Sequence, residues 1–132
     1  MSETPRRRLL LMRHGAVEYF DADGQPYRAE AVPLTTAGIA QARAVGDALR
    51  GQRVRIDRAV SSGLARTDTT LAEVLAAGQY AVQPLTEPGF HEIRGGRLST
   101  IPEAQLRSAF LAAFEGPAVS YTHLTLPTTE RV

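Results

Sequence analysis

The 132-residue sequence contains no cysteine, which excludes disulfide bonds, thiolate zinc sites and a cysteine nucleophile. That absence fits a reducing compartment, and the cytoplasm is the expected location. A surplus of charge is missing too: 15 basic residues against 14 acidic ones leave a net charge of +1. No global field therefore gathers nucleic acid or an anionic membrane, and any anion recognition has to be local. The apolar run Leu9-Leu10-Leu11-Met12 stops at Arg13 after four residues, too few for a signal-peptide core or a membrane span. Arg6-Arg7-Arg8, just before it, reads as a solvated lead-in. A nucleic-acid arm would want aromatic interleaving or a basic stripe elsewhere, and neither is there. There is also no internal repeat. What remains, 43% hydrophobic and 22% charged residues, suits one globular domain. Composition gives no reason to expect a nucleic-acid or membrane partner and leaves the oligomeric state unspecified.

Residues 9–12 form a short continuous apolar stretch ending at Arg13-His14-Gly15. That pattern predicts a buried central strand of a parallel sheet, delivering polar residues at the edge where open α/β sheets bind ligands. Residues 16–33 carry Asp21, Asp23, Gly24, Pro26 and Pro33 without a sustained period and predict a long loop. Thr35 or Thr36 can cap a helix with an apolar face of Ile39, Ala42, Val45 and Leu49, ended by Gly51. Residues 54–60 predict a second strand ending at Ser61-Ser62. A second helix from Leu64 uses Leu71, Val74 and Leu75 and stops at Gly78. Residues 80–85 predict a third strand, 87–99 a Gly-rich loop with His91 and Glu92, and Pro102 the first turn of a third helix running to about Phe114, ended by Gly116-Pro117. Alternating strands and helices predict an α/β domain of three layers.

The chemistry concentrates in three places. His14 at a strand end is a nucleophile near neutral pH, and Arg13 beside it can grip phosphoryl oxygens while disfavouring a second positive charge on the imidazole. Ser61-Ser62-Gly63-Leu64-Ala65-Arg66-Thr67 repeats the logic of strand end, tight turn and helix start; a helix N-terminus favours anions and Arg66 adds a charged donor. Glu92 lies in a loop after a strand, where a carboxyl close to a phosphate can protonate a leaving oxygen. Each piece also has a plainer account: a surface His beside a surface Arg, an arginine solvating a helix start, an exposed loop carboxylate. His91 is assigned to loop packing, because His14 and His123 do not obviously complete a metal site with it.

Taken in order, Leu10-Leu11-Met12-Arg13-His14-Gly15, then Leu34-Thr35 through Gly38, Gln41-Ala42 and Leu49, then Ser61-Ser62 through Leu64, Arg66 and Thr67, the sequence resembles the histidine phosphatase superfamily, the phosphoglycerate-mutase-like phosphatases, over roughly residues 8–115. Leu85 and Glu92 fall where that family keeps its acid. The resemblance implies a mostly parallel sheet with helices on both faces, incomplete at the C-terminus. It further implies transient phosphorylation of His14, a phosphoryl group held by Arg13, His14 and Arg66, Glu92 as proton donor, and no metal or organic cofactor.

Two departures stand out. Ala16-Val17-Glu18 and Gly96-Arg97-Leu98 differ from the family's usual residues and leave the substrate open. The family also needs a second histidine late in the domain, and after Glu92 there is only His123, in Tyr121-Thr122-His123-Leu124 without a following glycine. Val119 to Thr128 is similar to the translated end of a sequencing-library adapter. That resemblance implies a histidine phosphatase segment over residues 1–118, cut before its second histidine, and a non-native tail over 119–132; a short strand with alternating Tyr, His and Leu is the other account of the tail.

The expected activity of the parent protein is metal-independent hydrolysis of a small phosphomonoester through a phosphohistidine, with the chain itself weak or inactive. The alternatives are a phosphate- or partner-binding module without catalysis, a phosphoglycerate-mutase-type phosphotransferase, and a basic arm on a nucleic-acid-binding domain.

Overall fold

The computed structural model describes residues 6–92 and 100–115. They divide into two compact units, one of residues 6–19 and 27–92, the other of residues 20–26 and 100–115.

The first unit is α/β. Its helices are α1 (Thr36–Gly51) and α2 (Ala65–Gly78), and its strands are β1 (Ala59–Ser61) and β2 (Pro84–Thr86). The strands pair in parallel, Ala59 with Pro84, Val60 with Leu85 and Ser61 with Thr86, and α2 makes the crossover that a parallel pair requires. The Glu87 N–H extends the pairing by donating to the Ser61 carbonyl at 2.7 Å. The core is small: Val32, Ala42, Ala59, Leu64, Val74 and Leu75 are its buried apolar residues.

The two helices pack on each other through small residues. The buried stripe of α1 is Gly38, Ala42 and Gly46; of the expected face Ile39, Ala42, Val45 and Leu49, Ala42 is buried, Ile39 and Leu49 are half-buried and Val45 is exposed. The buried face of α2 carries Arg66, Thr70, Val74 and Gly78, spaced four apart, and Gly46 lies against Val74 and Gly78. Close backbone approach selects these residues: a Cβ on Gly46 would run into the Val74 carbonyl and lie 2.9 Å from the Ala77 methyl.

Thr35 caps α1, its hydroxyl accepting the Gly38 N–H at 3.0 Å. The helices end at the expected glycines, Gly51 and Gly78, but neither glycine takes the left-handed conformation. The left-handed residues that follow the helices are Arg53 (φ 54°) and Gln79 (φ 58°). Gly51 and Gly78 are the last helical residues, and Gly78 is needed because a Cβ there would strike the Tyr80 ring.

The expected central strand at residues 9–12 is also corrected. Leu9 and Leu11 are 79% and 83% exposed, and no backbone group of residues 9–12 bonds to another described residue. A central strand needs a ladder on each edge and a layer on each face, whereas the described sheet is β1 and β2 alone.

Residues 16–33 begin and end as a ribbon, with Val17 bridged to Leu34 and the Tyr27 N–H donating to the Tyr19 carbonyl at 2.9 Å. A 3-10 turn at Ala29–Ala31 sits in its return arm.

The second unit contains helix α3 (Glu103–Glu115) and the ribbon tip. The tip is an Asx turn in which Asp21 Oδ1 accepts the Asp23 and Gln25 N–H groups, each at 2.9 Å, and the Glu103 N–H donates to the Gly24 carbonyl at 3.0 Å. The expected stop at Gly116-Pro117, residues 96–98, His123 and the proposed tail lie outside the described residues. Among the described residues no helix is long and apolar enough to cross a membrane.

Candidate active site

The segment carrying His14 is held by both helices of its unit. The Gly15 N–H donates to Thr70 Oγ1 at 3.0 Å, and that hydroxyl donates to the Arg66 carbonyl one turn earlier at 2.6 Å. The Ala16 N–H donates to Gln41 Oε1 at 2.9 Å, and the Ala16 carbonyl accepts the Thr35 N–H at 2.9 Å. The close approach needs glycine on both sides, since a Cβ on Gly15 would lie 2.5 Å from the Gly38 carbonyl oxygen.

His14 is thereby buried and oriented, its side chain 5% exposed. Nδ1 lies 2.8 Å from the Gly15 carbonyl oxygen. A carbonyl only accepts, so Nδ1 carries a proton and Nε2 is the nitrogen left for chemistry. Nε2 faces Glu92 Oε1 at 3.1 Å. This contact needs one proton between its two atoms, on either the imidazole or the carboxyl. A neutral nucleophile plus a protonated acid requires the same single proton.

Arg66 enters from the first turn of α2. β1 ends at Ser61, and Gly63 takes a left-handed φ of 89° that reverses the chain into the helix. The turn is tied by hydroxyls: Thr67 Oγ1 accepts the Leu64 N–H at 3.1 Å and contacts Ser62 Oγ at 2.9 Å, and Ser61 Oγ donates to Asp68. The Arg66 side chain is 7% exposed. One terminal nitrogen donates to the Ala29 carbonyl at 2.8 Å and the other to Glu92 Oε2 at 3.3 Å. Its Nε is buried without a partner among the described residues, and a buried orphan donor is costly unless something answers it.

Glu92 thus spans the imidazole and the guanidinium with its two oxygens, while its side chain stays 50% exposed. Three of the four expected residues, His14, Arg66 and Glu92, converge. Arg13 does not join them: it is exposed and makes no hydrogen bond or ion pair with another described residue. His91, expected to pack within its loop, is exposed, and its backbone N–H closes the turn at Pro88. Two supports were missed in the sequence, Thr70 and Gln41. Thr70 had a readable signal, a hydroxyl four residues after Arg66 on the same helix face. Among the described residues no group of three His, Asp or Glu side chains is arranged to hold a metal ion.

A sequence model of the histidine phosphatase superfamily, branch 1, matches residues 9–130. The chain belongs to this superfamily. Among solved histidine phosphatases, it is similar to the protein histidine phosphatase SixA complexed with tungstate, at 29% identity and a TM-score of 0.51, over 78% of this chain and 58% of that one. It shares its fold with a protein described as a phosphohistidine phosphatase SixA from Agrobacterium tumefaciens, at 19% identity and a TM-score of 0.53, over 86% of this chain and 79% of that one. The ecdysone phosphate phosphatase EPPase from Bombix mori is likewise a fold match, at 22% identity and a TM-score of 0.52, over 74% of this chain and 51% of that one. The chain therefore spans 58% of the length of the tungstate-bound SixA relative. No curated protein matches it at a comparable level.

Proposed function

We propose that the parent protein hydrolyses a phosphomonoester through a phosphohistidine on His14, and that this chain alone turns over slowly or not at all. The observation that carries the proposal is the convergence on one point of His14 Nε2, its other nitrogen tied off, with Glu92 at 3.1 Å and a buried Arg66 at 3.3 Å from the same carboxylate. The SixA relative, solved with tungstate, supports an oxyanion site, tungstate being tetrahedral like phosphate.

In the first step the Nε2 lone pair attacks phosphorus, the bond to the leaving oxygen breaks, and Glu92 gives that oxygen its proton. In the second, water attacks the phosphohistidine and loses its proton to the Glu92 carboxylate, and the P–N bond breaks to release inorganic phosphate. Arg66 holds equatorial oxygens throughout, and its free Nε is a donor ready for one of them. Arg13, one residue before the nucleophile, exposed and without a partner among the described residues, would have to turn toward the bound phosphoryl group to supply a second guanidinium.

Glu92→Gln tests the acid. With an alkyl phosphate, turnover of the complete protein should fall by about 100-fold or more, the range general acids supply. With a nitrophenyl phosphate, whose leaving group needs little protonation, the loss should be much smaller. An equal loss across leaving groups would refute the assignment.

A further inference from the structure

We infer that Gln41 and Thr70 are positioning residues that fix which nitrogen of His14 is the nucleophile, an inference resting on the phosphohistidine reading. An unconstrained histidine prefers its proton on Nε2, so the opposite tautomer has to be imposed. The acceptor imposing it is the Gly15 carbonyl, 2.8 Å from Nδ1. That carbonyl belongs to the Gly15–Ala16 peptide, whose N–H donates to Gln41 Oε1 at 2.9 Å. The preceding peptide, His14–Gly15, gives its N–H to Thr70 Oγ1 at 3.0 Å. Two side chains from two different helices therefore clamp the two peptide planes on either side of Gly15. With both planes held, the Gly15 carbonyl stays aimed at Nδ1.

The clamp also polarises what it holds. Gln41 accepts from the same peptide that accepts from His14, so the hydrogen bonds run head to tail through one amide and strengthen each other. Thr70 has a second tie, its hydroxyl donating to the Arg66 carbonyl at 2.6 Å. One hydroxyl therefore sets the spacing between the nucleophile's backbone and the helix turn carrying Arg66. Thr70 is buried while Gln41 is exposed, so the two can be perturbed with different structural risk.

The test is the tautomer itself. Nitrogen NMR of the 132-residue chain, labelled at histidine, is recorded in a Glu92→Gln background well above the ordinary imidazole range, with His14 assigned by its loss in His14→Ala. The parent chain, Gln41→Glu and Thr70→Ser should all show His14 protonated on Nδ1, because each keeps the accepting oxygen. Gln41→Leu and Thr70→Val should move the proton largely to Nε2. The rate of His14 phosphorylation in the complete protein, with Glu92 in place, should fall about tenfold at saturating substrate, the effect of one lost hydrogen bond, with little change in KM.

Valine keeps the shape of threonine and serine keeps its hydroxyl. If Thr70→Val keeps the Nδ1 proton, the hydroxyl is not what holds it and the inference is overturned; loss of that proton in Thr70→Ser as well as in Thr70→Val would show that Thr70 acts by packing and overturn it too. It is equally overturned if Gln41→Leu leaves the tautomer unchanged. A tautomer that shifts as expected in a protein never phosphorylated on His14 would uphold the clamp and refute the phosphatase reading. Phosphorylation of His14 with a tautomer indifferent to both variants would do the reverse.

Discussion

Gly38→Ala should destabilise the protein, although the same substitution inside a helix ordinarily helps. Removing a glycine from a helix gains up to about 1 kcal/mol. At Gly38 the new Cβ meets the Ala16 carbonyl oxygen inside van der Waals contact and lies 2.8 Å from the Ala16 nitrogen. Those atoms cannot retreat freely, since the oxygen accepts the Thr35 N–H and the nitrogen donates to Gln41, both at 2.9 Å. Relief requires α1 to lift from residue 16. Overpacking of this kind costs about 1–3 kcal/mol, and loosening the Thr35 bond costs about 1 more. Set against the helix gain, the net loss is about 1–3 kcal/mol. Gly51→Ala is the control: it lies on the same helix, and its Cβ would meet nothing within 4 Å, so only the favourable term of up to about 1 kcal/mol applies. Urea unfolding of both variants measures the contrast. Stabilisation by Gly38→Ala equal to that of Gly51→Ala would refute the close approach of α1 to the His14 segment.

Two further outcomes follow from the same geometry. Arg66→Lys keeps the charge but cannot span the Ala29 carbonyl and Glu92 together; KM for a phosphomonoester should rise by about 10- to 100-fold, the effect of one charge-assisted hydrogen bond, and an unchanged KM would count against Arg66 as a phosphoryl clamp. Backbone amides of residues 9–12 should exchange with deuterium at near-unprotected rates while those of α1 and α2 are protected; equal protection by mass spectrometry would contradict the open placement of that segment.

The helices were legible in the sequence because caps, periodicity and stops agree locally: Thr36–Gly51, Ala65–Gly78 and Glu103–Glu115 each begin and end within a few residues of expectation. Their packing faces were less legible. Ile39 and Val45 follow a helical period, but what α1 buries is a stripe of small residues, chosen by how closely another backbone approaches. Residues 9–12 read as a strand because apolar content shows what a segment can bury, not whether strands lie beside it. In the site, His14, Arg66 and Glu92 were readable from residue type and position, and the structure brings them together. The ties of Thr70 to the Gly15 N–H and of Gln41 to the Ala16 N–H are hydrogen bonds between residues 55 and 25 positions apart. Chemical type alone does not announce such bonds.

The central claim is tested most directly by trapping the phosphorylated intermediate. The complete protein is mixed with a nitrophenyl phosphate, quenched in base, where phosphohistidine survives, and mapped by mass spectrometry. The account predicts phosphate on His14, bonded to Nε2, with neither label nor turnover in His14→Ala. Phosphate on another residue, or turnover retained by His14→Ala, would contradict it.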